Sequence, residues 1–337
     1  MTLQRLGFFT RVLDDADPAE RYRLAAAQVV HAERCGFDGA WVAQHHFHGD
    51  EGGLPAPFVF LSHVAAQTSR IRLGTGIVTL PLEQPVRTAE DAAVLDLMCG
   101  GRLEMGVGAG GNTTAFQAFG VDVTERAAKF RAHLDLLRTA LLGWALPGGD
   151  RLYPSSPRLV NRIWQASFSI EGAAIAGAAG DGLLLSRTQP RPADAPGATL
   201  ADLQAPMIEA YLAALPPGRA PRILASRSVF VADGREEALR FAEAGLGRGR
   251  ARLPPGAPRG LDDLIAANDV HVGAPMDVIA SLRADRTLGH VTDLAVQVHS
   301  VDPPHALILR SIELMAEIVA PALGWVRGGT AGMRRVA

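Results

Sequence analysis

The feature of this sequence that most limits its fold is the regular alternation of short strand-like runs with helical patterns. The run RLGFFT is followed by a helical pattern from Pro18 to Arg34, the run GAWVAQ, a helical pattern from Ala56 to Thr68, and the run IRLGTGIVTL. Strands that alternate with helices in this way are typical of parallel βαβ units. The chain is therefore predicted to be an α/β protein with a parallel sheet.

The alternation continues along the chain until eight strands are complete. A helix after Pro85, the strand LEMGVG and a helix with Thr124 as N-cap come next, and RIWQA, GLLLS, RILASRSVFVA and TDLAVQV supply the remaining strands. Eight strands in strict alternation fit a closed (β/α)8 TIM barrel better than an open sheet. We therefore predict one barrel domain over residues 1–337.

One segment interrupts this rhythm between the seventh and eighth strands. Residues 245–271, GLGRGRARLPPGAPRGLDDLIAANDVH, are rich in Gly, Pro and Arg. A long loop at this place is predicted to be an excursion on the rim of the barrel. Such loops act as lids or binding loops, or they lack fixed structure, and the sequence leaves both alternatives open.

The composition limits which partners the protein can have. Hydrophobic residues make up 48% of the chain, charged residues 20%, and the formal net charge is -2. The apolar content is sufficient for a large core, and the chain has no excess of positive charge that would attract nucleic acid or an anionic membrane. Two cysteines are too few for a disulfide framework, and the N-terminal residues lack the apolar run of a signal peptide. We expect a cytoplasmic protein that binds neither nucleic acid nor membrane.

A glycine motif in LEMGVGAGGN raises the question of a dinucleotide site. Gly106, Gly108 and Gly111 have the spacing G-x-G-x-x-G. A dinucleotide fold places this motif in its first βα turn, with an acidic residue about twenty positions later at the tip of the second strand. Here the motif follows the fourth strand, and the comparable positions fall in the helix ERAAKFRAHLDLL. The loop is therefore predicted to bind a phosphate group of another ligand.

Three histidines follow the second strand in WVAQHHFHGD, where a barrel places active-site residues. His46 and His48 have the H-x-H spacing of a metal site, but among the other strand ends only His299 could join them. An imidazole can also act as an acid, base or hydrogen-bond donor beside an organic cofactor at neutral pH. We favour the cofactor interpretation, while a metal hydrolase and solvated rim histidines remain alternatives.

Together these segments resemble the bacterial luciferase-like flavin monooxygenases over nearly the whole chain. WVAQHHF is similar to the family's W-x-x-E-H-H-F, and GTGIVTLPLEQPVRTAEDAAVLDLMCGGR is similar to its block of strand three and helix three. FGVDVTER, AAGDGLLL, VGAPMDVIASL and APALGW also follow the family pattern. The resemblance implies the same (β/α)8 barrel and a flavin-dependent monooxygenase activity.

The resemblance also implies roles for particular residues. His45 would be the catalytic histidine beside the flavin ring, and His46 would support it. Gly76 and Ile77 would lie under the isoalloxazine, where relatives can carry a non-proline cis peptide. The flavin phosphate and the edge of the ring would be held by a further set, which comprises Gly108, Ala109, Gly110, Gly111, Asn112, Arg126, Phe168, Ser169 and Gly172.

The chain departs from the family pattern at three places. Gln44 replaces the usual glutamate before the histidine pair, which removes a charged acceptor. Gly108 and Ala109 stand where the luciferases carry a cysteine and an arginine, which removes a phosphate anchor and predicts a roomier pocket. Arg187, after the sixth strand, would either compensate for that arginine or contact the substrate. Gln44 and Arg187 are therefore the candidate substrate contacts.

The function implied by the resemblance is a two-component monooxygenase. It would take reduced FMN from a partner flavin reductase, react with O2, and insert one oxygen atom into a small organic substrate. Two alternatives remain open: a deazaflavin-dependent oxidoreductase of the same fold, and a noncatalytic flavin-binding homologue. Deazaflavin-dependent relatives tend to carry an aspartate-histidine pair where this chain has QHHF.

The helices predicted at residues 56–68 and 85–98 carry apolar residues around more than one face. Such an excess suits a subunit interface as well as a core. Luciferase-like barrels pair through these helices, so the resemblance implies a homodimer.

Overall fold

The computed structural model describes residues 3–250, 259–299 and 301–328. All strands in these ranges belong to one parallel sheet, and their bounds are β1 Arg5–Thr10, β2 Gly39–Val42, β3 Arg72–Thr75, β4 Val78–Thr79, β5 Leu103–Gly108, β6 Ile163–Ala166, β7 Gly182–Leu185, β8 Ile223–Val231, β9 Val270–Gly273 and β10 Asp293–Gln297. The sheet closes because β10 pairs with both β1 and β8. The ring of β1, β2, β3, β5, β6, β7, β8 and β10 confirms the predicted (β/α)8 barrel.

Helices cover the outside of this ring. They are α1 Pro18–Cys35, α2 Pro57–Ala65, α3 Pro85–Met98, α4 Thr113–Ala118, α5 Arg126–Leu141, α6 Ile170–Ala178, α7 Leu200–Ala214, α8 Arg235–Gly247, α9 Leu261–Ala267, α10 Pro275–Ala284, α11 His305–Leu314 and α12 Ala320–Ala322. Four of the longer helices begin with proline, which fits the first turn because its missing N–H has no partner there. None of the helices in the described ranges is long and apolar enough to cross a bilayer.

The third predicted strand is divided into two pieces. β3 ends at Thr75, and β4 continues beyond it to pair with the last residues of β5. The peptide bond between Gly76 and Ile77 at the break is cis, as the family resemblance implied. The break lies at the C-terminal end of the strand, on the side of the barrel where the predicted site residues gather.

Two local predictions need correction. Thr124 is not the N-cap of a long helix, because the Asp122 carboxylate accepts the Thr124 N–H (2.8 Å) and caps a 3₁₀ turn at Val123–Glu125 instead. The excursion at residues 245–271 is partly regular, since it contains α9 and the extra strand β9. β8 is long, with nine residues, and its last four, from Ser228 to Val231, pair with β9. β9 is not part of the ring of eight strands. Residues 251–258 of the excursion lie outside the described residues.

The inside of the barrel is filled by a small aromatic and aliphatic cluster of Trp41, Trp164, Leu184, Leu224 and Ala295. The two tryptophan rings meet edge to face, with centroids 5.6 Å apart. These side chains come from β2, β6, β7, β8 and β10 and fill the interior, as expected for the packed core of a barrel of this kind. The cluster separates the two ends of the barrel and forms the floor of the candidate site.

Candidate active site

Two adjoining cavities open at the C-terminal ends of the strands. The outer cavity, of about 550 Å³, lies among the segments that follow β2, β3, β5 and β6. The inner cavity, of about 300 Å³, lies above the interior cluster and reaches β1, β7, β8 and β10. The two share a wall that consists of Ala43, His45, Gly76, Ile77, Ala166, Ser167 and Phe168. This is the end of the barrel at which enzymes of this fold place their active sites.

His45 stands where the two cavities meet. Its backbone N–H donates to the carbonyl oxygen of Leu54 (2.9 Å), which fixes the chain just beyond β2. Neither ring nitrogen has a hydrogen-bond partner within the described ranges. Burial, together with the positive charges of Arg11 and Arg187, lowers the pKa of His45 to about 4. The ring is therefore neutral at pH 7 and can offer one donor and one acceptor to a ligand.

The other two histidines of the motif are placed differently. The His46 ring lines the outer cavity, packs edge-on against Phe119 with centroids 5.0 Å apart, and has a buried Nε2 without a partner. Burial lowers the pKa of His46, opposed by the charge of Glu83. His48 lies outside both cavities and contacts the Thr114 hydroxyl (3.0 Å). No cluster of three or more His, Cys, Asp or Glu side chains suited to a metal ion occurs in the part of the chain that the structure describes.

Gln44 lines the outer cavity, and both the nitrogen and the oxygen of its side-chain amide form hydrogen bonds within the protein. Its Nε2 donates to the Glu83 carboxylate (2.7 Å) and to the carbonyl oxygen of Pro55 (3.3 Å), and its Oε1 accepts the Thr79 N–H (2.7 Å). A carboxylate is thus present beside position 44, supplied by Glu83. Glu83 could not be found from local sequence patterns, because the contact joins residues 39 positions apart.

The glycine loop after β5 lines the outer cavity from Gly108 to Asn112. Gly110 has φ of 72°, and a Cβ there would clash with Thr79, so the position requires glycine. A Cβ at Gly111 would meet no atom within 4 Å, so this part of the loop presents bare backbone. Asn112 is used locally, since its Oδ1 accepts the N–H groups of Thr114 and Ala115 and caps α4.

A polar corner with hydroxyl groups and a guanidinium closes the far side of the outer cavity. Ser169 caps α6 by accepting the Gly172 N–H (3.0 Å), and its own N–H donates to the Ser167 hydroxyl (3.0 Å). A Cβ at Gly172 would clash with Ser167, so glycine keeps this turn compact; Gly172 itself lines the adjoining groove between α5 and α6. Arg126, the first residue of α5, also faces the outer cavity. A helix N-terminus, two hydroxyl groups and a guanidinium suit a phosphate group.

The inner cavity contains residues that the sequence analysis did not single out. Phe9, Trp41 and Leu224 give it apolar walls, and Arg11, Ser226 and Gln297 are, with the predicted Arg187, among its polar groups. Gln297 is fully buried, and neither atom of its amide group has a partner among the described residues. Side chains along the strand TDLAVQV alternate between the inside and the outside of the barrel. This two-residue periodicity could have predicted that the Gln297 side chain lies inside the barrel.

Sequence comparison agrees with this geometry. Residues 5–289 match the family described as luciferase-like monooxygenase. The chain belongs to this family. This luciferase-like protein is 31% identical to 4-hydroxyprotoasukamycin monooxygenase of Streptomyces nodosus subsp. asukaensis over 90% of the present chain and 88% of that protein. It is 40% identical to the uncharacterized protein y4vJ of Sinorhizobium fredii, but that match covers 35% of this chain and 34% of the relative.

Solved structures share the barrel at lower sequence identity. The monooxygenase RslO1 of Streptomyces bottropensis has a TM-score of 0.78 and 24% identity, with 95% of this luciferase-like chain and 100% of that chain covered. The oxygenating constituent of 3,6-diketocamphane monooxygenase of Pseudomonas putida, solved with FMN, has a TM-score of 0.75, 19% identity and coverage of 95% and 98%. The coenzyme F420-dependent tetrahydromethanopterin reductase of Methanopyrus kandleri has a TM-score of 0.68, 18% identity and coverage of 95% and 99%. At these identities the likeness concerns the fold.

Proposed function

We propose that the protein is the oxygenating component of a two-component FMN-dependent monooxygenase. It binds reduced FMN and O2 and inserts one oxygen atom into a small organic substrate. The observation that carries the proposal is the outer cavity, which runs from the polar corner at Ser169 and Arg126 to the neutral His45 ring. The similar 4-hydroxyprotoasukamycin monooxygenase and the FMN complex of the 3,6-diketocamphane enzyme support it.

The residues of the outer cavity fit an elongated ligand with a phosphate at one end. Ser169, the N-terminus of α6 and Arg126 would hold the phosphate, while the bare backbone around Gly111 would lie along the middle of the flavin. Gly76 and Ile77 would contact the ring. The described lining of this cavity contains no acidic side chain that would repel a phosphate. Bound reduced flavin would supply the two electrons needed to activate dioxygen.

The contribution of the chain itself is to shield, orient and transfer a proton. The apolar walls of the inner cavity exclude water and hold the substrate against the shared wall. His45 reaches both cavities from that wall, so a ring nitrogen can hold or move a proton between the substrate and the cofactor. His46 supports this position from the side of the outer cavity.

A partner reductase forms part of the proposal. All strands in the described ranges belong to the barrel sheet. The described residues therefore form no second sheet that could bind a nicotinamide dinucleotide. Reduced FMN would therefore come from a separate flavin reductase, and the flavin would enter through the open side of the outer cavity.

We also propose that the protein forms a homodimer through α2 and α3. Val59 on α2 is 73% exposed, and Val94, Leu97 and Met98 on α3 are 42%, 56% and 71% exposed. Adjacent exposed apolar side chains of this kind mark protein contacts. Sedimentation equilibrium should show a dimer at micromolar concentration, and Met98→Glu should shift the population toward monomer. A wild-type monomer would contradict the proposal.

The deazaflavin alternative is separated from the FMN proposal by a binding experiment. Purified protein is titrated under anaerobic conditions with reduced FMN and, separately, with reduced F420, and free cofactor is measured by ultrafiltration. Saturable binding of reduced FMN is expected, followed after admission of air by reoxidation at a rate different from that of free reduced FMN. Absence of affinity for reduced FMN would overturn the proposal, and binding of reduced F420 alone would favour a deazaflavin-dependent oxidoreductase.

A further inference from the structure

The inner cavity has a polar floor that the placement of the flavin does not explain. Gln297 on β10 and Ser226 on β8 line the inner cavity and are absent from the lining of the outer cavity. Strand register sets them close together, since Gln297 pairs with Ser228 and Ala295 pairs with Ser226. The two polar side chains therefore project from adjacent strands into the same space.

Both side chains are buried without the hydrogen bonds that such groups normally make. The Gln297 amide nitrogen and oxygen and the Ser226 hydroxyl have no partner among the described residues, although Gln297 is 0% exposed and Ser226 is 5% exposed. Buried amides and hydroxyls are nearly always hydrogen-bonded, because an unpaired one costs stability. An apolar side chain at either position would serve the fold better, so these groups are suited to a ligand.

The charge of the cavity indicates what kind of ligand this is. Arg11 and Arg187 both lie in the wall, and the described lining contains no aspartate or glutamate. The Arg11 guanidinium donates to the backbone carbonyl of Glu51, which is a neutral acceptor. Burial lowers the pKa of both guanidinium groups. Repulsion from Arg11 lowers the pKa of Arg187 further, while the Asp302 carboxylate acts in the opposite direction on both. An anion in this cavity would relieve that repulsion.

We infer that the inner cavity binds a small apolar substrate through an anionic oxygen, with Gln297 and Ser226 as donors and Arg11 and Arg187 as the positive wall. Such an oxygen belongs either to a carboxylate or to an ionised phenol or enol. The Gln297 Oε1 can accept from a hydroxyl group on the same molecule, and Phe9, Trp41 and Leu224 enclose its apolar body. This inference rests on the proposed function, because it assigns the outer cavity to the flavin.

The test measures binding to the purified chain, with and without saturating oxidised FMN. The compounds are cyclohexanecarboxylate, its neutral analogue cyclohexanecarboxamide, and 4-nitrophenol, whose ionised form is coloured. We expect the carboxylate to bind at least about tenfold more tightly than the amide, or nitrophenol to ionise at lower pH when bound. Preference for one of these two compounds identifies the source of the anionic oxygen. Equal binding of acid and amide, without a change in nitrophenol ionisation, would overturn the inference.

Two variants test the residues themselves. Gln297→Leu, which removes the unpaired amide, is expected to weaken binding of the preferred anion by roughly tenfold to a hundredfold and to leave the melting temperature unchanged or raised. Arg126→Ala is the matched control, and it should weaken FMN binding while leaving anion binding unchanged. A clear fall in melting temperature with Gln297→Leu would show that the amide serves the fold, which contradicts the inference.

The remaining outcomes separate this inference from the proposed function. Weaker FMN binding in Gln297→Leu, with unchanged anion binding, would show that the amide holds the flavin and would overturn the inference while leaving the monooxygenase proposal intact. Selective anion binding by a protein that shows no affinity for FMN would support the anion site and refute the proposed cofactor.

Discussion

The two ends of the barrel treat buried polar groups in opposite ways. At the N-terminal ends of the strands, Glu104 pairs with Arg72, lies 3.7 Å from Arg5, and accepts the indole N–H of Trp164 (2.7 Å), while Arg5 also pairs with Asp293 (2.8 Å). At the C-terminal ends, the buried His46 Nε2 and both atoms of the Gln297 amide have no hydrogen-bond partner in the described ranges. The first end satisfies its own charges and closes the barrel, whereas the second leaves donors and acceptors for ligands.

This difference assigns stability to one end and chemistry to the other. Buried ion pairs with additional hydrogen bonds hold the strands together but cannot bind a third group. Unpaired groups cost stability, and they persist where binding compensates for them. Substitutions at the first end should therefore lower stability, and substitutions at the second end should change binding and protonation.

Glu104→Ala should cause the largest loss of stability. It leaves the charge of Arg72 and the Trp164 indole without their acceptor, while Arg5 keeps its pair with Asp293, and loss of one partner from a buried ion pair costs about 3–5 kcal/mol. Denaturant unfolding measures this loss. Glu90→Ala, which removes an exposed pair with Arg87, is the control and should change little. Equal losses of unfolding free energy in the two variants would show that the buried ion pairs at the N-terminal end do not contribute more to stability than an exposed pair.

Gln44→Glu should make the protein less stable as the pH rises. The new carboxyl group would lie beside that of Glu83, now 2.7 Å from the Gln44 nitrogen, and like charges raise the pKa of one member of such a pair. Since the folded-state pKa is raised, stability is retained at low pH and lost as the pH passes through that pKa. Melting temperatures from pH 4 to pH 8 measure the effect.

The control for this prediction is the double variant Gln44→Glu, Glu83→Gln, which restores one amide and one carboxylate. Its melting curve should regain the pH dependence of the wild type. A single variant whose melting temperature follows that of the wild type over the whole range would show that positions 44 and 83 are not in contact.

Arg126→Ala should weaken the binding of reduced FMN by about tenfold, because it removes the guanidinium that we propose as a charge-assisted donor to the phosphate. Lys129→Ala is the matched control, since Lys129 lies on the same helix but is not part of the outer cavity. Anaerobic ultrafiltration measures both affinities. If the two variants bind alike, general positive charge attracts the flavin and the corner at Ser169 is not its phosphate site.

The smallest effect concerns the protonation of His45. Its ring should titrate at about pH 4, and Arg187→Met should move the midpoint upward because one nearby positive charge is removed. NMR of histidine ring signals, assigned with a His45→Gln variant, follows the titration. A midpoint near the ordinary histidine value of about 6.5 would mean that the ring is hydrated and outside the cavity wall.

Much of the barrel could be predicted from the sequence, because each βα unit carries its own local signals. The predicted strand LEMGVG coincides with β5, and the cis peptide falls at Gly76, where the family resemblance placed it. Pairings between distant segments could not be predicted. The contact between Gln44 and Glu83 and the positions of Arg11 and Gln297 in one cavity depend on strand register, which local patterns do not contain.

We propose that the polar groups at the C-terminal end bind a flavin and its substrate. Anaerobic thermal unfolding with and without reduced FMN tests it most directly, because a ligand that binds the folded chain raises its melting temperature. The melting temperature of the wild type should rise with the concentration of reduced FMN, and that of Arg126→Ala should rise less. No rise with reduced FMN, or a rise with reduced F420 alone, would contradict it.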